Sequence, residues 1–81
     1  MRVRLWEWVV EQDEHGGSAG ISGTCHGAME AMAKTLIRAG RPRRGQVTPV
    51  ILLNSIQEQP HYLRGLTRHT AVYDGNVIQW S

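Results

Sequence analysis

The sequence predicts an α+β domain, with one amphipathic helix packed on a curved, mostly antiparallel sheet of four or five strands. Three observations carry this. An apolar stripe of helical period runs from Met29 to Ile37, strand-like segments rich in Val, Ile, Leu and Trp flank it, and Gly-, Asn- and Pro-bearing turns separate the segments. The expected order is β-(β)-α-β-β-β in one domain over residues 1–81, a length that suits a single domain.

Residues 2–12 (RVRLWEWVVEQ) are rich in Val and Trp and read as the first strand. Asp13-Glu14-His15-Gly16-Gly17 has turn chemistry, and residues 18–22 return either as a short edge strand or as a loop. Met29, Met32, Ala33, Leu36 and Ile37 fall at i, i+3, i+4, i+7 and i+8, the apolar face of a helix. Glu30, Lys34 and Arg38 line the opposite face, with Glu30 placed to pair with Lys34. Thr24 or Ser22 can cap the N-terminus, Gly40 suits the left-handed residue past the C-terminus, and Pro42 follows, so the helix is predicted over Cys25–Ala39.

Arg41-Pro42-Arg43-Arg44-Gly45 is expected to be a basic loop leading into an apolar strand, residues 46–53 (QVTPVILL). Pro49 cannot donate to a ladder, which predicts an open side or a bulge beside it. Residues 54–60 are polar and read as a loop. Residues 61–67 and 69–73 read as strands, or as one strand bent at Gly65. Asp74-Gly75-Asn76 is a hairpin turn, and residues 77–80 close the sheet.

Side-chain alternation places Val3, Leu5 and Val9 on one side of the first strand and Arg2, Arg4, Trp6, Trp8 and Val10 on the other. After the helix, Val47, Ile51 and Leu53 oppose Val50 and Leu52. Both strands are apolar on both sides, whereas a sheet with one wet face alternates cleanly. A helix about 10 Å wide covers about two strands, so the second face calls for curling, a second copy or a partner. A short chain has a thin core, and a single cysteine, Cys25, cannot form an intrachain disulfide. A homodimer is the expected remedy.

Charge supplies the functional expectation. Net charge is +2, yet residues 1–33 carry two arginines against five carboxylates, and residues 34–81 carry seven cations against two carboxylates. Such segregation hints at an anionic partner. Arg38, Arg41, Arg43 and Arg44 cluster around the helix C-terminus, and arginine suits phosphate contacts. The macrodipole alone would favour Arg38 and Arg41 at that helix end, but it does not reach Arg43 and Arg44. Arg2, Arg4, Trp6 and Trp8 form a second candidate surface, a basic aromatic platform on which bases could stack, although strand tryptophans usually belong to a core or interface. The first expectation is a small non-enzymatic nucleic-acid-binding protein; the alternative is a protein-interaction module, adaptor or inhibitor, using an apolar sheet face or strand edge.

Other chemistry has less behind it. Cys25 in the first helical turn has His26 beside it, but adjacent helical residues do not face each other. Cys25, His26, His61 and His69 lack the paired spacing of zinc ligands, so no metal is expected. GGSAGISG matches no phosphate-cradling spacing, and Glu7, Glu11, Asp13 and Glu14 read as a solvated strand end and turn. No catalytic residue and no cofactor is expected. No apolar run approaches the roughly 18 residues of a membrane span, and the N-terminus has no long apolar leader, so the expected location is the cytoplasm without membrane contact.

Overall fold

The computed structural model describes residues 2–53 and 61–81; the loop expected over 54–60 lies outside them. β1 (Arg2–Asp13) and β2 (Gly16–Ser22) form a hairpin, α1 (Cys25–Ala39) runs back across it, and β3 (Arg43–Leu53) lies on the other side of β1. β4 (His61–Arg64), β5 (His69–Tyr73) and β6 (Ile78–Trp80) follow. The sheet order is β2-β1-β3-β5-β6, with β4 also on β3, and every described pairing is antiparallel. Among the described residues the fold is α+β with one helix, as expected, but with six strands rather than four or five.

Three departures from the expected boundaries explain the count and reassign the arginines. β2 begins at Gly16 and is a full strand. Gly17 lies so close to β1 that a Cβ there would sit 3.1 Å from the Val10 carbonyl and 3.2 Å from the Gln12 Cα. β3 begins at Arg43 rather than Gln46, because its ladder with β5 continues through Gly45↔Ala71, Arg44↔Val72 and Arg43↔Tyr73. Backbone pairing carries the strand beyond its apolar run, so Arg43 and Arg44 leave the expected loop. At Pro49, which has no N–H, the chain facing β3 leaves the ladder. Gly65 N donates to the Pro49 carbonyl (2.9 Å), Arg68 N donates to the Val47 carbonyl (2.8 Å), and residues 65–68 separate β4 from β5.

Local chemistry fixes the helix. Thr24 Oγ1 accepts from Gly27 N at 2.9 Å, and Gly40, at φ 71°, donates its N–H to the Leu36 carbonyl. Ala28, Met32 and Leu36 bury against Val10, Val47, Ala71 and Tyr73, with Trp6, Trp8, Cys25, Met29 and Ile78 packed around them. Helix and sheet meet so closely at Gly45 that a Cβ there would overlap the Met32 sulfur.

Lengths decide what remains uncovered. Fifteen helical residues span about 22 Å, and the twelve residues of β1 span about 40 Å. Ser22 pairs with Trp6, so the helix starts near the middle of β1 and runs toward its C-terminal end. The first residues of β1, the last of β3, and β4 therefore form an arm beyond the helix, in a molecule 45 Å long and 17 Å thick.

Gly45→Ala is expected to cost about 1–3 kcal/mol by overpacking, and Met32→Ala about 2–5 kcal/mol by opening a cavity. In the double variant the added methyl group occupies part of that cavity, so urea unfolding should show a loss smaller than the sum. Full additivity would mean that Met32 is not seated on Gly45.

Candidate interaction surfaces

The end of the molecule expected to carry the arginine patch is organised by a β-bulge. Val10 pairs with Ser18 and Asp13 with Gly16, so Glu11 and Gln12 together oppose Gly17. One extra residue reverses the alternation. In a regular strand Asp13 would share the side of Val9 and Glu11; after the bulge its carboxylate reaches the arginines on the helix side. Arg41 grips it with two bonds, Nε to Oδ2 at 2.8 Å and Nη2 to Oδ1 at 3.3 Å. The His15 N–H also donates to Oδ1 at 2.8 Å, closing the turn.

Arg43 enters the same knot from β3. Its side chain is only 6% exposed, and Nη2 donates to the carbonyls of Glu11 (2.5 Å) and Gly16 (2.6 Å). Its buried Nε faces Asp13 Oδ2 at 3.4 Å without making a hydrogen bond. The Arg41 hydrogen bond, reinforced by the His15 N–H and by the charges of Arg41 and Arg43, lowers the Asp13 pKa from 3.8 to about 2 against the opposing effect of burial.

The four arginines around the helix C-terminus are thus divided among different tasks. Arg41 and Arg43 tie the β1–β2 hairpin to the start of β3. Arg44, next to Arg43 on a strand, points to the opposite side of the sheet and is exposed, while Arg38 is exposed on the last turn of α1. Arg38, Arg41 and Arg43 do line one groove of about 240 Å³ with His15, Ser18 and Thr35, but Asp13 already occupies two of those cations. Glu7 and Arg64 repeat the pattern, paired at 2.9 and 3.1 Å. The acidic and basic segments, separate in sequence, neutralise each other in the fold.

The second expected surface is also divided. Trp6 and Trp8 are half-buried beside the core, and Trp8 lies across Gly20, where a Cβ would sit 2.6 Å from the indole nitrogen. Arg4 is exposed on the arm, and Arg2 is placed by its backbone alone, opposite Leu53. The indoles are therefore part-buried in the helix–sheet layer, and Arg4 shares their side of β1 from the exposed arm.

The sheet side away from the helix is polar in its middle. Glu7, Thr48, Gln46 and Thr70 alternate there, and Thr67 Oγ1 donates to Gln46 Oε1 and lies 3.5 Å from the Thr48 hydroxyl. Apolar surplus collects in the arm. Leu5, Val50 and Leu52 lie on one side, while on the other Pro49, Ile51, Leu63 and Gly65 line a groove of about 180 Å³ bordered by Arg4 and Arg64. Leu63 is 56% exposed. Nothing in sequence separated this groove from the rest of the sheet, because its existence depends on where the helix begins.

Cys25 is half-buried, with its thiol 4.0 Å from the Met29 sulfur. Among the described residues no three of the His, Cys, Asp and Glu side chains come close enough to hold a metal ion, and no helix is long and apolar enough to cross a membrane. Comparison of the chain with family models, curated proteins and solved structures finds no match.

Folding lowers the Asp13 pKa, so the contribution of its ionised form to stability is complete above about pH 4 and is lost as pH falls from 3.8 toward 2. Urea midpoints should therefore drop more steeply across that interval for the wild type than for Asp13→Asn; parallel profiles would show that the carboxylate is not clamped. By the same geometry Arg43→Met should lower the midpoint much more than Arg44→Met, since only Arg43 has a buried side chain that bonds two backbone carbonyls of the hairpin.

Proposed function

We propose that the chain is a non-enzymatic protein-interaction module that holds a partner segment in the groove of its arm. The observation that carries this reading is the groove itself. Exposed Leu63, with Ile51 and Pro49, forms an apolar floor beyond the reach of the helix, and cationic Arg4 stands at its rim. The chemistry suits a partner segment that presents an apolar anchor side chain next to a carboxylate, the anchor filling the groove and the carboxylate meeting Arg4. Arg64, which pairs with Val50 and is bonded to Glu7 on the opposite side of the sheet, directs its charge away from the groove.

Nucleic-acid binding is the second reading. What favours it is that Arg38 and Arg44 are exposed and have no ion-pair partner among the described residues. They lie on different sides of the molecule, which gives a thin basis for a continuous track of phosphates.

A photo-crosslinking residue at position 63 should capture a specific protein from the native host. Leu63→Asp and Arg4→Glu should weaken that complex, whereas Arg38→Ala with Arg44→Ala should leave it intact. Labelled single- and double-stranded oligonucleotides should show little affinity by fluorescence anisotropy at about 50 mM salt. Binding that weakens steeply by about 200 mM salt and is lost in the Arg38/Arg44 variant would replace the protein reading with the nucleic-acid one.

A further inference from the structure

The long outer edge of the sheet belongs to β2, and its composition is unusual for an edge. Gly16–Ser22 (GGSAGIS) has no charge and no proline, and no described strand pairs with its outer side. Edge strands are normally guarded by shortness, by lysine or by proline. β6 and β4, with three and four residues, are short; β2, with seven, has none of these guards.

We propose that β2 pairs antiparallel with β2 of a second copy of this chain about a two-fold axis at Ala19, joining the two sheets into one. Two features of the same protomer match across that axis. The first is shape. A pairing centred on Ala19 sets Ile21 of each copy opposite Gly17 of the other, on the sheet side away from the helix. Ile21 is 46% exposed, and Gly17, which has no side chain, borders a shallow depression of about 400 Å³ lined also by Val9, Gln12 and Ala19. The knob and the hollow are related by the symmetry, as an isologous interface requires.

The second feature is charge. The same register sets Gly16 of each copy opposite Ser22 of the other, so the turn that holds Glu14 extends past the end of β2 of the second copy, toward Thr24, the N-cap of its helix. Glu14 is 85% exposed and bonded only to its neighbour His15. The helix has no acidic residue in its first turn, and His26 there is exposed. A carboxylate from the second copy supplies the negative charge that the positive end of the helix dipole favours. Shifting the pairing by two residues in either direction moves Ile21 off Gly17 and Glu14 off the helix end, so a single register satisfies both.

A seven-residue edge buries little area, so a dissociation constant of about 1–100 μM is expected. Sedimentation of the wild type over that range should show a monomer–dimer equilibrium. Ala19→Lys and Ala19→Glu each set two like charges face to face at the axis of an exposed position, and each should be monomeric. Mixed in equal amounts they should form the heterodimer, which also shows that both variants fold. Ile21→Ser should weaken the dimer at least tenfold and Glu14→Gln by a smaller factor. A wild type that stays monomeric at about 500 μM, well above the expected constant, would overturn the proposal. So would an Ala19→Lys chain that dimerises like the wild type. The groove of the arm lies on β3 and β4, away from this edge, so either result leaves the reading of that groove to its own crosslinking test.

Discussion

One additional residue in β1 determines how the basic end of this molecule is assembled. The bulge at Glu11 and Gln12 turns Asp13 to the helix side of the sheet, where Arg41 and Arg43 converge on it. Those two arginines come from the connection after the helix and from the first residue of β3, so a single carboxylate fastens three parts of the chain. Arg43 adds two backbone carbonyls, Glu11 on one side of the hairpin and Gly16 on the other. The guanidinium thereby bonds the hairpin on both sides of its turn. Without the bulge, Asp13 would face away and Arg43 would be buried with no carboxylate in reach, a costly arrangement for a charge.

This knot changes the meaning of the charge pattern. In sequence, an acidic first third and a basic remainder suggest a partner of negative charge. In the fold, the acidic hairpin is itself that partner: Asp13 takes Arg41 and Arg43, and Glu7 takes Arg64. Segregation along a chain carries over to the surface only if the segments remain apart in space. Here an antiparallel hairpin and a returning helix bring them together, and the surface field is weaker than the linear pattern implies.

The parts legible in the sequence are those fixed by near neighbours. The helix, its Thr24 cap and its Gly40 terminus depend on contacts within four residues, and the gap between β4 and β5 follows from one missing N–H at Pro49. The start of β3 was not legible, because Arg43 and Arg44 are held in the strand by Tyr73 and Val72, almost thirty residues away. With that boundary misplaced, three arginines look like one loop; with it corrected, strand alternation sends two of them, Arg43 and Arg44, to opposite sides of the sheet. The role of Asp13 was hidden for a related reason. A bulge leaves no residue-type signature in the run Val10-Glu11-Gln12-Asp13, and the only hint is the pair of glycines at 16 and 17 that lets the strands accommodate it.

The surplus of apolar side chains on β1 and β3 has a physical origin in unequal lengths. A helix of about 22 Å cannot shelter a strand of about 40 Å, and the hairpin turn fixes which end it leaves bare, since α1 has to start where β2 stops, beside Trp6. Under the helix, the far side of the sheet is free to be polar, and Glu7, Gln46, Thr48 and Thr70 occupy it. Beyond the helix neither side has a helical cover, and Leu5, Ile51, Leu52 and Leu63 are placed there. At the arginine-rich end Arg41 and Arg43 are paired by Asp13 within the chain, whereas the arm presents apolar groups that its own helix does not cover. Two of the four arginines thus spend their charge inside the molecule, and the two that do not, Arg38 and Arg44, lie on different sides of it, whereas the apolar groups of the arm stand together on one groove.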